Sequence, residues 1–467
     1  MYKTLHVITY GCQMNVYDSQ RIQEMLTILG YSLSQEMDAD IVIFNTCQIR
    51  EKAEEKLFSD LGRVRILKDR RKEFNKEMII VVAGCSAQAL GKHILKRAAY
   101  VDLVVGPQTY DKIPELLAKI ERDRVSETKP GQGILRTGFP KISKFDNLKT
   151  PRNFHGVSAM LSIQEGCNKF CSYCVVPYTR GAEYSRPLED VLQEAKALLK
   201  KGAKELVLLG QNVNAYQSKN FLGKNVTFSE LLYRCAELEG VFRLRYMTSH
   251  PREMTHDLIR AHKEIPQLMP FLHLPVQSGS NNVLQAMNRQ YTVQEYESIV
   301  EKLKEARSDI AISSDFIVGH PEETEEDFEK TCQLAIRVQY AQAYSFMYSS
   351  RPGTPSALKQ QIPFEIKKER LHRLQEILRH SQKTFNMSKK GVTLPVLFEK
   401  KGKHSGQVLG KTPYMQSVYV HTKNNVSDVI IGTIQEVEIL EGHLNSLMGT
   451  FANNEKQTYP HFNSHLL

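Results

Sequence analysis

Through roughly the first hundred residues, short continuous apolar runs alternate with amphipathic stretches. Residues 5–12, 41–47 and 78–85 are rich in Val and Ile and apolar without alternation, the pattern of strands buried on both faces. Residues 19–30 and 51–68 carry helical periodicity between them, and 101–107 adds a strand before a helix over 113–121. Strands that alternate with helices predict an open parallel sheet whose right-handed crossovers bring the strand ends to one edge. Residues 130–133 and the polar stretch to Arg152 read as a linker.

From residue 157 the alternation resumes. Strands are predicted over 157–163, 205–209, 242–247, 271–274, 310–318 and 343–347, with helices over 188–201, 228–239, 255–264, 293–306 and 325–338. Six such repeats predict a partial barrel with its chemistry at the carboxyl-terminal edge, where the connecting loops gather. Those loops hold Gly210-Gln-Asn212, Thr248-Ser-His-Pro251, Leu274-Pro-Val-Gln-Ser-Gly-Ser280, Gly319-His-Pro-Glu322 and Ser349-Ser-Arg-Pro-Gly-Thr354. A long amphipathic helix over 365–390 follows. The pattern then changes to short β segments at 393–399, 407–410, 416–420, 429–434 and 436–440, as in a small barrel. The fold class is therefore α/β multidomain: an N-terminal open parallel α/β sheet (1–125), a linker (126–152), a central partial (β/α)6 barrel (153–385), a C-terminal small β-barrel (386–451) and a tail (452–467) without clear periodicity.

The 467-residue chain has the apolar and charged fractions of an ordinary globular protein. Its start runs directly into a strand pattern, and no window has the apolar length of a membrane span, so a cytoplasmic protein with no membrane contact is expected. A formal charge of +10 permits a polyanionic partner without demanding one. Two basic runs, 63–76 and 365–390, suggest phosphate contacts, although most such runs are solvated helix faces.

The eight cysteines change the picture most, because a reducing compartment favours reading them as metal or redox ligands over disulfides. Cys167, Cys171 and Cys174 stand at CxxxCxxC spacing with no fourth cysteine nearby. Three thiolates hold three irons of a cubane and leave one iron open to a chelating ligand; taken alone, the spacing shows a three-coordinated metal site. Cys12, Cys47 and Cys85 each end a predicted parallel strand, so the topology brings them to one edge, where open α/β sheets bind their ligands. Cys235 and Cys332 lie on helical patterns beside apolar residues and read as core packing. His320 reads as structural. Tyr173 and Tyr178 fit either stacking on an adenine or packing beneath the cysteine loop.

The cysteine loop resembles the signature of the radical S-adenosylmethionine enzymes. Taken with Tyr10-Gly-Cys-Gln-Met-Asn15, Asn45-Thr-Cys-Gln-Ile-Arg50, Gln164-Glu-Gly-Cys167, Val175-Val-Pro-Tyr-Thr-Arg-Gly181, Ser185-Arg-Pro187 and His273-Leu-Pro-Val-Gln-Ser-Gly-Ser280, it makes the chain similar to the methylthiotransferases of that superfamily, and most to their MiaB-type tRNA-modifying branch. The resemblance covers nearly the whole chain to about Phe451. It implies a C-terminal RNA-binding TRAM barrel and two 4Fe-4S clusters. Cys167, Cys171 and Cys174 would hold the one that cleaves S-adenosyl-L-methionine; Cys12, Cys47 and Cys85 would hold an auxiliary one that carries the sulfur. It implies methylthiolation of carbon-2 of an isopentenylated adenosine at tRNA position 37. The implied partners are a tRNA anticodon stem-loop bearing that nucleoside, a flavodoxin- or ferredoxin-like electron donor and a sulfur source, with the enzyme a monomer. Gly210, Gln211, Asn212, Ser314 and Asp315 are the expected cofactor contacts, with no catalytic residue beyond the cluster ligands. Rival readings at this point are the same chemistry on a threonylcarbamoylated adenosine or a ribosomal-protein aspartate, and a non-catalytic RNA-binding metal protein. The chain departs from the family at Gly319-His-Pro-Glu322, where an aromatic residue usually precedes proline, and at Ser349-Ser-Arg-Pro352.

Overall fold

The computed structural model describes residues 3–48, 51–125, 133–140, 143–148, 154–422 and 430–452. The N-terminal sheet has six strands, β1 (Thr4–Tyr10), β2 (Ser32–Leu33), β3 (Ile41–Thr46), β4 (Ile79–Gly84), β5 (Leu103–Val105) and β6 (Ile134–Arg136). They pair in the order β2-β1-β3-β4-β5-β6, all parallel. Every residue of β3, β4 and β5 is buried, because helices cover both faces and leave no solvent side to alternate toward. The crossover helices are α1 (Gln13–Ile28), α2 (Glu51–Glu73), α3 (Cys85–Arg97) and α4 (Ile113–Val125). Residues 134–136, within the stretch expected as linker, form the sixth strand, and α5 (Lys144–Asn147) follows. The rest of that stretch and the tail beyond residue 452 lie mostly outside the described residues.

The central unit begins with β7 (Ser158–Ser162), β8 (Gln164–Glu165), α6 (Val176–Arg180), β9 (Tyr184–Ser185), α7 (Leu188–Lys200) and β10 (Glu205–Leu209). A small hairpin of β11 (Gln217–Lys219) and β12 (Asn225–Thr227) precedes α8 (Phe228–Ala236), β13 (Arg243–Tyr246), α9 (His256–Glu264) and β14 (Phe271–His273). Then come α10 (Asn281–Ala286), α11 (Val293–Ala306), β15 (Ala311–Val318), α12 (Glu325–Val338) and β16 (Gln342–Met347). The strands run β7-β10-β13 and β14-β15-β16. A parallel bridge between Leu244 and Leu268 joins the two halves into one six-stranded arc. One large core, including Leu161, Leu206, Leu208, Leu244, Leu272, Ile312 and Phe316, packs the arc against its outer helices; Cys235 and Cys332 belong to it, as their helical setting predicted.

The last helix, α13 (Phe364–Met387), leads into β17 (Thr393–Lys401), β18 (Gln407–Lys411), β19 (Ser417–His421), β20 (Ile434–Gly442) and β21 (Leu447–Phe451). These close into a barrel in the order β17-β18-β19-β21-β20. Of the strand expected over 429–434, residue 429 lies outside the described residues and the rest is not a strand before Ile434: Ile430 to Gly432 form a turn, with Thr433 N–H bonded back to Ile430 O, and β20 starts at Ile434. The fifth strand is instead β21. Inner side chains of β13 dock this barrel. Arg243 donates to Lys411 O at 2.7 Å and Pro395 O at 2.6 Å, and Arg245 to Pro413 O at 2.7 Å and Thr412 O at 2.8 Å. Among the described residues no helix is long and apolar enough to cross a membrane.

Only part of each basic run turns inward. On α2, Arg63 pairs with Asp60, Lys68 with Asp102, and Arg71 with Asp38 and Asp40. On α13, Arg370 and Arg373 are tied to Glu323, Glu325, Glu329 and Glu369. Lys68, Arg71, Arg370 and Arg373 thus hold their helices in place, while Arg70, Lys72, Lys76, Arg379, Lys383 and Lys390 are exposed, as on solvated helix faces.

Candidate cluster sites and the charged bridge between them

Cys12 follows β1 and precedes α1, Cys47 follows β3, and Cys85 opens α3 directly after β4. These are neighbouring strand ends, so the three cysteines share one edge. The approach is close: a Cβ on Gly11, which has φ +134°, would lie 2.3 Å from Cys47 Cβ, and only glycine fits there. Cys47 N–H donates to Tyr10 O at 3.0 Å. Asn15 and Asn45, buried together, fasten α1 to the end of β3: Asn15 Nδ2 donates to Asn45 Oδ1 at 3.1 Å, and Asn45 Nδ2 to Asn15 O at 2.8 Å and Ser19 Oγ at 2.9 Å. Ser86 Oγ donates to Cys47 O at 2.9 Å.

The second triad sits in the loop between β8 and α6. Gly166, with φ +78° and room for no Cβ beside Ala182 O, turns the chain into Cys167. Cys167 N–H donates to Gly181 O at 3.2 Å, Cys174 N–H to Cys171 O at 2.9 Å, and Ser172 N–H to Met287 O at 3.0 Å. Arg289, buried, reaches Cys171 Sγ with Nη1 at 3.5 Å and Pro275 O with Nη2 at 3.0 Å. His320 fills the space beneath. Its ring is edge-on to Tyr173 and Tyr348, and its Nε2 lies 2.9 Å from Ser356 Oγ, which donates to Ser172 Oγ at 2.8 Å. The imidazole thus occupies the aromatic place in the family pattern, and Tyr173 packs beneath the loop while Tyr178 is exposed.

Protonation bears on what the triads hold. A hydrogen bond from Cys47, with help from the Arg180 charge and against burial, holds Cys12 down at about 6. Burial pushes Cys85 and Cys167 up, and burial together with Cys171 takes Cys174 up to about 12. Three of these sulfurs therefore stay neutral unless a cation draws off the proton, as a coordinated metal does. Among the described residues no group of three or more His, Cys, Asp or Glu side chains is arranged around a single metal ion. Soft donors at strand ends suit an iron-sulfur cluster, which needs a wider spread of thiolates.

Of the expected cofactor contacts, Asn212 is buried with both amide atoms lacking a partner, as are Ser249 Oγ and His250 Nε2 in the next loop. These polar atoms are suited to a bound polar ligand. Gln211 Oε1 instead accepts from Gly166 N–H, and a Cβ on Gly210 would lie 2.6 Å from Gln164 Oε1, so both brace the cysteine loop. Ser314 is fully buried and its Oγ accepts from Val276 N–H at 3.0 Å. Asp315, on β15, faces His273 at 3.4 Å and is partly exposed.

The sequence reading missed what lies between the triads. Arg180, at the end of α6, donates through Nε to Cys85 Sγ at 3.3 Å, through Nη2 to Asp18 Oδ2 at 2.7 Å and through Nη1 to Glu165 Oε1. Lys144 Nζ reaches Glu165 Oε1 at 2.7 Å, Pro107 O at 2.9 Å and Asp18 Oδ1 at 3.5 Å. The motif ending Thr-Arg-Gly181 was one available signal; Lys144, in an expected linker, offered none.

Comparison with known proteins supports each part. A family described as the Radical SAM superfamily matches residues 161–335, the Uncharacterized protein family UPF0004 matches 4–106, and the TRAM domain matches 387–452. Among solved structures, TsrM from Kitasatospora setae, a radical S-adenosylmethionine methyltransferase with cobalamin and a [4Fe-4S] cluster bound, shares the fold with a TM-score of 0.57 at 13% identity, over 77% of this chain and 74% of that one. A tRNA-2-methylthio-N(6)-dimethylallyladenosine synthase of Wolbachia pipientis subsp. Culex pipiens (strain wPip) is 51% identical over 96% of this chain and 100% of its own length. One from Rickettsia prowazekii (strain Madrid E) is 52% identical over 96% of this chain and 99% of its own. With this likeness from end to end, and with three units in the order that the family requires, the chain belongs to the tRNA-2-methylthio-N(6)-dimethylallyladenosine synthases of the radical S-adenosylmethionine superfamily.

Proposed function

We propose that the chain adds a methylthio group to carbon-2 of N(6)-isopentenyladenosine at position 37 of tRNAs, with Cys167, Cys171 and Cys174 holding one 4Fe-4S cluster and Cys12, Cys47 and Cys85 holding a second. The observation that carries this reading is the pairing of two cysteine triads, one on neighbouring parallel strand ends and one in the loop after β8, joined through Arg180. When bound, the clusters and S-adenosyl-L-methionine supply reductive cleavage, a methyl group and a sulfur. The chain's own residues do the placing. Gly166 and Gln211 set the path of the cysteine loop, Arg289 and His320 support it, and the unpartnered atoms of Asn212, Ser249 and His250 offer polar contacts to the cofactor.

The small barrel, fixed to β13 by Arg243 and Arg245, is the proposed hold on the anticodon stem-loop. The family resemblance further supports a cytoplasmic monomer that takes electrons from a flavodoxin- or ferredoxin-like donor and draws on a separate sulfur source. The test is nucleoside analysis by mass spectrometry of tRNA from cells lacking the endogenous enzyme and supplied with this chain. Conversion of N(6)-isopentenyladenosine to its 2-methylthio form is expected. Methylthiolation of a threonylcarbamoylated adenosine instead would overturn the substrate assignment.

A further inference from the structure

Arg180 has more to satisfy than a buried ion pair needs. Asp18, Glu165, Lys144 and Arg180 are all at most 3% exposed and form a set of two cations and two carboxylates. That set is balanced before anything is placed at Cys85. The guanidinium uses Nη1 and Nη2 on the carboxylates and directs Nε at a cysteine sulfur 3.3 Å away. The fork is planar and rigid, so fixing two arms aims the third. Arg180 also belongs to the short segment that carries Cys167, Cys171 and Cys174, whereas Cys85 and Asp18 belong to the N-terminal unit. One side chain therefore spans the seam between the two triads.

We infer that Arg180 is a positioning residue for the sulfur chemistry at the first triad: it holds the Cys85 side of that triad against the radical loop and keeps a positive charge beside the cysteine sulfur. The inference rests on the two-cluster reading above. It has an electrostatic consequence, since one electron from a chemical reductant makes a cluster more negative by one charge. A cation fixed nearby in a buried, weakly screened setting favours that change. Removing the guanidinium makes reduction harder, while lysine keeps the charge and loses the three-way fork.

The experiment uses a full-length chain with Cys167→Ala, Cys171→Ala and Cys174→Ala, so that iron enters only the first triad. After anaerobic reconstitution, iron content and the midpoint potential in a dithionite titration followed by electron paramagnetic resonance are compared with those after adding R180K, R180Q, or R180Q together with D18N. The double change restores charge balance in the network. Retained iron with a potential shifted negative in R180Q, less so in the D18N R180Q pair where a carboxylate charge leaves with the guanidinium, and least in R180K, is the expected result. Loss of iron from both Gln-containing chains with unchanged far-ultraviolet circular dichroism supports the positioning role. Retained iron with an unchanged potential overturns the inference alone, and unfolding of both variants reduces Arg180 to a structural residue. Absence of iron while Arg180 is intact overturns the two-cluster reading, and this inference with it.

Discussion

Arg245 and Glu205 show how one residue's worth depends on what its loss leaves behind. Both side chains are 1% exposed, with Nε 2.6 Å from Oε2, and Arg245 also carries two carbonyls of the small barrel. Truncation by R245A leaves Glu205 buried without its ion-pair partner, with the Ser158 hydroxyl and the more distant Arg243 and Lys411 charges remaining. Loss of one partner from such a pair costs about 3–5 kcal/mol, so R245A should lower the urea midpoint strongly, and E205Q R245M together by much less. The buried histidines make a second prediction. Burial holds His262 at about 3 and His320 at about 4, below the ordinary value of about 6.5. A depressed histidine value means that the unfolded chain binds more protons, so these residues stabilise the fold fully above pH ~6.5 and lose that contribution as pH falls toward 4 for His320 and toward 3 for His262. Each adds a slope of up to about 1.4 kcal/mol per pH unit in that window. His320→Phe, which puts the family's usual aromatic residue in place, should flatten the pH dependence of the urea midpoint below pH 6; an unchanged slope would refute the assignment.

At the scale of elements, the repeats of the central barrel were legible because each strand is a short apolar run and each helix has a clear face. Thr292 with Glu295 and Thr324 with Asp327 even form complete capping boxes at the starts of α11 and α12. Thr324→Ala should cost about 0.5–2 kcal/mol, read from chemical denaturation. Leu206→Ala, in β10 with no exposed surface, should cost about 2–5 kcal/mol. What failed had weaker local signals. β6 has three residues and follows a Gly-Gln-Gly stretch, so its pairing with β5 comes from tertiary contact. In the small barrel, Ile430 is buried like a strand residue but lies in a turn, and β21 is a five-residue strand containing Gly449, whose Cβ would strike Val437. At the site the cysteines announce themselves by spacing and by strand ends. Arg180, Glu165, Asp18 and Lys144 do not, because a buried charge looks like a surface charge until its partners from distant segments are known.

For the whole molecule, the central claim is that two separately built units each bring three cysteines to a common seam, so that two clusters serve one reaction. The N-terminal sheet supplies one triad from its strand ends, the partial barrel supplies the other from the loop after β8, and the charged set around Arg180 crosses between them. The small barrel is fastened at β13 and α13, where Asn386 Nδ2 donates to His443 O at 2.7 Å and Leu444 O at 2.9 Å. The most direct test is to reconstitute the chain anaerobically and count iron and sulfide per polypeptide, in the unaltered protein and in a variant with Cys12→Ala, Cys47→Ala and Cys85→Ala. About eight irons falling to about four is the predicted result. About four irons in both proteins would contradict the account, leaving a single-cluster enzyme with no auxiliary source of sulfur.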